Sequence, residues 1–332
     1  MLIRPRRNRR TDSIRKLSQE NIVTADDFIM PLFIVEGNGI KESIESLPVA
    51  YRRSLDEILK EIESCLEYGL HSFILFPKIP NQHKDKTGTY SYNKNNFYLK
   101  ATTEIKSAFP HITLISDVAL DPYSIDGHDG IVYDGVIDND GTLEVLTKMS
   151  IAQAEAGFDV LGPSDMMDGR IAAIREGLDN AGHMSTGILS YTAKYASGFY
   201  GPFRDALDSA PVEDDSIPKH KKSYQMNPSN SREAMTEAEL DILEGADYLM
   251  VKPAVHYLDI IRQLKDNFSL PVAAYHVSGE CAMLIAACEN GWLDYEVVMP
   301  ETLMSIKRAG ADIIITYFAK EYLQLQRKKS GS

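Results

Sequence analysis

Cysteine is scarce. Cys65, Cys281 and Cys288 are the only three in 332 residues, an odd number without C-x-x-C spacing. That excludes a disulfide framework and fits a reducing cytoplasm, where such thiols act as small buried apolar groups. No run of about 18 apolar residues occurs, so nothing spans a membrane. Positive charge is in deficit: 35 Lys and Arg against 48 Asp and Glu leave a net −13, which argues against a general nucleic-acid binder and for a soluble protein. No G-x-G-x-x-G follows any early apolar run, so the dinucleotide-binding signature is missing too. The one basic cluster, Arg4, Arg6, Arg7, Arg9 and Arg10, is not followed by an apolar stretch. Residues 1–27 therefore read as an arm, solvated or laid on another subunit, and not as a secretory signal.

What is present is alternation. At 44% hydrophobic content the chain can bury a large core. Strand-like apolar runs fall at 28–35, 72–76, 112–118, 158–162, 187–191, 247–251, 271–277 and 312–318. Between them, apolar spacing of three and four predicts helices over 54–68, 95–108, 142–156, 170–181, 232–244, 255–267, 280–289 and 302–309. One phrase recurs as AGFDV at 156–160, GADYLM at 245–250 and GADIII at 310–315: a helix ending in glycine that turns straight into a buried strand. Continuous apolar strands alternating with helices mean a parallel sheet covered by helices. Eight units point to an α/β fold of the (β/α)8 TIM-barrel kind over residues 28–332, with a doubly wound sheet as the alternative. Two connections, 77–94 and 196–231, are long and rich in Gly, Pro, Ser and charge. Both leave strand C-termini, where barrels keep their chemistry, so 196–231 reads as an active-site lid.

The stretch from Asp247 to Pro253 gives the first chemical clue. Its apolar run stops on Lys252, and Pro253 cannot continue a ladder, so the lysine belongs at the strand's C-terminal lip. An unpartnered buried ammonium is costly, whereas an amine that must shed its proton and attack a carbonyl suits such a place. Polar residues past the other strands gather at the same mouth: Asp117, Asp121 and Asp129 after strand three, Ser164 and Asp165 after strand four, Lys194 after strand five, Ser278 after strand seven and Tyr317 after strand eight. Two neighbouring lysines disfavour each other's charge, which suggests Schiff-base chemistry on a carbonyl substrate.

Several long motifs, in order, resemble the porphobilinogen synthase (5-aminolaevulinate dehydratase) family. They are Arg4-Pro-Arg-Arg7, Gly162-Pro-Ser-Asp-Met-Met-Asp-Gly-Arg170, Ser190-Tyr-Thr-Ala-Lys194 running on to Arg204-Asp205, Tyr224-Gln-Met-Asn-Pro228, Met250-Val-Lys252-Pro, Val277-Ser-Gly-Glu280 and Ile315-Thr-Tyr-Phe318. The match covers about residues 4 to 323. The resemblance implies a hydro-lyase of tetrapyrrole (haem) biosynthesis, which condenses two 5-aminolaevulinate molecules into porphobilinogen and releases two waters. Lys252 and Lys194 match the family's Schiff-base lysines, for the propionate-arm and acetate-arm substrates respectively. Arg204 matches a carboxylate-binding arginine on the lid, and Gln225 follows on the same lid. Lys221 stands where a second arginine is usual, keeping charge but losing the bidentate fork. Without the resemblance, residues 219–222 would read as a solvated lid face. Ser278 and Tyr317 match hydroxyls that hold the other carboxylate.

Ala119, Asp121 and Asp129 occupy the three thiolate positions of zinc-dependent members, so no Zn²⁺ is expected and a zinc-independent, Mg²⁺-type enzyme is implied. The loop is also compatible with no metal, with Asp121 and Asp129 serving substrate amine binding or proton transfer; Asp117 is expected to orient the substrate at Lys194 or that lysine. His128 reads as a hydrogen-bonded loop residue. Glu237 matches a glutamate for an allosteric Mg²⁺, against a plainer reading in which Glu233, Glu237, Glu239 and Asp241 are solvated helix charge. The arm implies a homo-oligomer, an octamer in the family's usual state. Departures include Asp126 and His276 in place of a usual histidine and glutamine, and Cys281 in place of an aromatic. The competing readings are an aldolase-like barrel using Lys252 alone, a catalytically inactive barrel kept for ligand binding or assembly, and a nucleic-acid role for the arm.

Overall fold

Eight parallel strands close on themselves in the computed structural model, which describes every residue except 210, 212, 213, 215, 216, 331 and 332. They are β1 (Phe28–Val35), β2 (Ser72–Lys78), β3 (Thr113–Ile115), β4 (Val160–Leu161), β5 (Gly187–Lys194), β6 (Tyr248–Lys252), β7 (Val272–His276) and β8 (Ile313–Thr316). Each pairs with its successor, and β8 returns to β1 through Phe28↔Ile314 and Ile29↔Ile315. This is the expected (β/α)8 barrel and not an open doubly wound sheet. The strands are buried almost throughout, as continuous apolar runs require once helices cover the outer face.

The repeated glycine–aspartate phrase has a structural cause. Gly157 and Gly310 end their helices at φ 108° and 121°, a backbone that side chains resist. The aspartate two residues on then stitches its strand to the preceding one. Asp159 N–H donates to Leu114 O at 3.0 Å while Leu114 N–H donates to Asp159 Oδ2 at 2.8 Å. Asp247 makes the same reciprocal pair with Ile188, at 2.9 and 2.8 Å, and Asp312 with Val272, at 2.8 and 2.9 Å. Each carboxylate satisfies an N–H at the start of a neighbouring strand, where the ladder offers no partner.

Element boundaries differ from the expected ones in places. β5 extends to Lys194 and β2 to Lys78, because polar residues near the barrel mouth still join the ladder. β3 and β4 are short; beyond them only an isolated Val118↔Pro163 bridge remains, proline having no N–H to give. The helix expected from residue 302 begins at Tyr295 and runs through Pro300, with Met299, Leu303 and Ile306 buried beneath it. A helix at Ala319–Ser330, not foreseen, completes the eighth unit and buries Tyr322 and Leu325. Along the lid a short helix forms at Gly201–Leu207. In the arm, Asp12–Leu17 is helical, and none of residues 1–22 is buried. The chain docks at Val23, and Asp27 pairs with Lys307 at 2.8 Å.

Candidate active site

The β5–β6 ladder sets the centre of the site. Lys194 and Lys252 are direct register partners at the C-terminal ends of these strands, past a local irregularity between Leu249 and Val251. Both are buried, each 6% exposed. Their surroundings nevertheless differ. Lys252 Nζ lies 4.6 Å from the ring centre of Tyr275, 5.0 Å from those of Tyr191 and Phe203, and 5.3 Å from that of Tyr200. Among the described residues, no hydrogen-bonding or ion-pairing partner reaches it. Burial, and then the charge of Lys194, push its pKa down to about 7 against the pull of Asp117, Asp129 and Asp121. Lys194 Nζ instead donates to Asp129 Oδ2 at 3.0 Å and to the Ser164 carbonyl.

Two of the three aspartates after β3 separate into distinct states. Burial opposes ionisation of Asp129, yet Lys194 on one oxygen and Lys221 on the other, at 2.6 Å, hold it below the ordinary carboxylate range. Lys221 also reaches Asp121 Oδ2 at 3.3 Å, and Gln225 Nε2 approaches Asp129 Oδ2 at 3.5 Å. Asp117 faces the other way in energy: burial, then repulsion from Asp121, raise its pKa to about 7, although the Ser164 hydroxyl donates to it at 2.7 Å. One carboxylate is thus a fixed anion and its neighbour a proton carrier near neutrality. Asp117 makes no direct contact with Lys194; the link runs through Ser164, which bonds both.

The remaining expected residues line the lid side. Ser278 Oγ accepts from Phe203 N at 3.0 Å, and Tyr317 shares a 3.2 Å hydrogen bond with Tyr275. Gly279 permits the lid's approach, since a Cβ there would meet Phe199 O at 2.5 Å. Arg204 is half-buried on the lid helix, and its charge is felt by Lys221 and Tyr224. Lys221 is 7% exposed, so residues 219–222 are not uniformly a solvated face. His276 and Cys281 contact each other at 3.3 Å and are fully buried; His276 also meets Thr316 at 3.1 Å.

Glu237 lies apart, half-buried on the helix Glu233–Leu243. It lines a cavity of about 560 Å³ together with Glu233, Asp168, Asn139, Met166 and Lys222. Burial raises its carboxyl to about 7 despite the nearby Arg170, and Asp241, Asp168 and Glu233 add to the rise. Asp241 is not solvated: it is 2% exposed, accepts from Ser190 Oγ at 2.6 Å and stands 3.5 Å from buried Arg170. Among the described residues, no three His, Cys, Asp or Glu side chains converge as a metal cluster. The aromatic cage of Lys252 was not foreseen, although Tyr191, Tyr200 and Phe203 lie in the same motif as Lys194 and Arg204.

A family model described as delta-aminolevulinic acid dehydratase matches residues 2–325. The delta-aminolevulinic acid dehydratase of Chlamydia pneumoniae is 52% identical over 322 residues, 97% of this chain and 96% of that one. That of Bradyrhizobium diazoefficiens is 49% identical over 319 residues, covering 96% and 89%. Among solved structures, the delta-aminolevulinic acid dehydratase (porphobilinogen synthase) of Toxoplasma gondii ME49, in complex with the reaction product porphobilinogen, superposes with a TM-score of 0.95. It is 48% identical over 98% of this chain and 91% of its own.

Proposed function

The chain belongs to the delta-aminolevulinic acid dehydratase family, and on that premise we propose that Lys252 and Lys194 carry its reaction, the condensation of two 5-aminolaevulinate molecules to porphobilinogen with loss of two waters. The enzyme is a lyase of tetrapyrrole biosynthesis. The carrying observation is the in-register pair of buried amines, one of them unpartnered and pushed down to about 7. Each lysine attacks a keto carbon, and each keto oxygen leaves as water when the imine forms. An imine acidifies the adjacent carbon, so one substrate supplies a nucleophilic carbon and the other an electrophilic one. The new C–C and C–N bonds close the ring, and both lysines leave as free amines. The balance is two substrates in, one pyrrole and two waters out. A barrel using Lys252 alone gives buried Lys194 no chemical task beyond its ion pair with Asp129, and an inactive barrel gives neither lysine one. Borohydride reduction with 5-aminolaevulinate, read by peptide mass spectrometry, tests the reading: adducts on both lysine peptides and pyrrole in the untrapped control are expected. No adduct and no pyrrole would sink it.

Asp117, able to exchange a proton near neutrality, serves proton transfer beside Lys194, Ser164 holding the first by its hydroxyl and the second by its carbonyl. Asp129 and Asp121 fix the ammonium groups around it. Arg204, Lys221 and Gln225 clamp one substrate carboxylate from the lid; Ser278 and Tyr317 hold the other by hydroxyl hydrogen bonds. A pH dependence follows. Attack requires the neutral amine, so the trapping rate at Lys252 is expected to rise with pH through about 7 and level off above it. A rate still climbing toward 10.5, the ordinary lysine value, would refute the depressed amine.

The enzyme is zinc-independent and of the magnesium type. Carboxylates stand in for thiolates at Asp121 and Asp129, and the Lys221 ammonium already lies between them, so these residues do not suit a further cation there. Glu237 suits a hydrated Mg²⁺ better: it shares its cavity with Glu233 and Asp168, whose mutual repulsion a divalent ion relieves. Mg²⁺ binding by calorimetry and Mg²⁺ stimulation are both expected in the wild type and lost in Glu237→Gln, with similar activity of the two in EDTA. Undiminished Mg²⁺ binding by the variant would place the ion elsewhere.

Assembly as a homo-octamer is supported by the arm, whose Met1, Leu2, Ile3 and Leu17 are exposed beside its arginines on an acidic protein. An acidic chain with such an arm has its electrostatic partner in its own copies and not in nucleic acid. Free Cys65, Cys281 and Cys288 suit the cytoplasm. No helix among the described residues is long and apolar enough to cross a membrane.

A further inference from the structure

Outside the lysine pair, one polar cluster joins the lid to the loop after β3. His128 is fully buried in that loop, immediately before Asp129. Its Nε2 lies 2.6 Å from Pro218 O and its Nδ1 lies 3.0 Å from Tyr224 Oη, both on the lid. Tyr224 Oη in turn accepts from Asp129 N at 3.3 Å. A carbonyl can only accept, so Nε2 carries a proton; burial disfavours the charged imidazolium, and in the neutral ring Nδ1 accepts and the tyrosine hydroxyl donates. Every donor and acceptor in the relay is used once, from Asp129 N–H to Pro218 O. Tyr224 also meets the imidazole edge-on, with ring centres 6.0 Å apart.

The lid residues held this way frame the ones that meet Asp129. Gln225 N donates to Lys221 O at 2.9 Å and Tyr224 N to the same carbonyl at 3.3 Å, a single turn that brings residues 221, 224 and 225 to one side. Lys221 and Gln225 then reach Asp129 by side chain, while Tyr224 reaches its backbone. Without the relay, the turn keeps its two side-chain contacts but loses the fixed angle at which it approaches.

We propose that His128 and Tyr224 are positioning residues that register the lid turn carrying Lys221 and Gln225 on Asp129, and thereby set how tightly substrate is held at Lys194. This rests on the reading of Lys194 as an imine-forming lysine. The test uses the full chain with Mg²⁺ and three variants: Tyr224→Phe, which removes one oxygen and little else, His128→Ala, and His128→Asn, whose Oδ1 can replace Nδ1 as acceptor. Expected are a KM for 5-aminolaevulinate about tenfold higher in Tyr224→Phe and His128→Ala, and a smaller change in kcat. Adduct at Lys194 falls at subsaturating substrate while adduct at Lys252 is unchanged. His128→Asn recovers part of the loss, and the double variant His128→Ala with Tyr224→Phe is no worse than either alone. Wild-type KM in Tyr224→Phe would overturn the proposal, as would an equal fall of both adducts, which marks general damage. Absence of a Lys194 adduct in the wild type would overturn the underlying reading, and the proposal with it.

Discussion

Lys252→Met is expected to fold normally and to lose at least about four orders of magnitude in kcat, measured as pyrrole formation at saturating substrate. The two halves of that expectation come from the same surroundings. Lys252 has no carboxylate partner, and four aromatic rings pack around its amine. Replacing it with an unbranched apolar side chain of similar length therefore strands no opposite charge and fills the same space. Chemistry has no such substitute, since the neighbouring amine of Lys194 touches only the Tyr191 ring of that cage, at 5.9 Å, and is held by Asp129. A melting temperature at or above the wild-type value, with activity abolished, is the predicted signature. Residual kcat within a hundredfold of wild type would transfer the essential imine to Lys194.

Asp129→Asn is expected to do the reverse, striking stability as hard as catalysis. Both Asp129 oxygens receive ammonium groups, and the residue is 1% exposed. An asparagine presents one acceptor and turns an amide N–H toward the second cation, leaving a buried charge unpaired. The cost of breaking such a pair is about 3–5 kcal/mol, or, in a chain of this length, a fall of roughly 5 °C in Tm. The pH dependence has a definite sign. The folded-state carboxyl titrates below 3.8, the ordinary aspartate value, so its contribution is complete above that value and declines as pH falls toward the lower folded one. Wild type and variant should therefore differ most at neutral pH and converge in strong acid. Thermal melts across that range check both statements; a neutral-pH Tm within 2 °C of wild type would mean the ammonium groups had found other partners.

Most of the barrel could be read in the chain, and for a physical reason. Parallel strands buried on both faces must be continuously apolar, so β1, β6, β7 and β8 announce themselves, and Lys252 stands out as the polar end of such a run. The phrase at residues 156–160, 245–250 and 310–315 was visible as repetition, but its reciprocal bonds to Leu114, Ile188 and Val272 join strands distant in sequence and leave no local trace. The loop from Asp117 to Gly130 has no periodicity, so its aspartates could be gathered but not ranked. Which one is a fixed anion depends on Lys221, about a hundred residues away. Asp241 was readable in principle. It follows Ala234 and Ala238 at helical spacing on the buried side of its helix, and the alanines were the clue that this carboxylate faces inward.

Because Lys194 and Lys252 are ladder partners, the gap between their α-carbons is an interstrand repeat of about 4.8 Å and belongs to the backbone. Nor can register along the strands, about 3.3 Å per residue, drift continuously. It can only jump by whole residues, and in a closed ring a jump between β5 and β6 must be absorbed by the other six strands. If the two lysines carry the reaction as proposed, its gauge is therefore fixed by the ladder. Insertions in the lid, substitutions in the arm or a change of temperature alter how often the jaws are loaded, while the width of the jaws stays the same until the barrel itself comes apart.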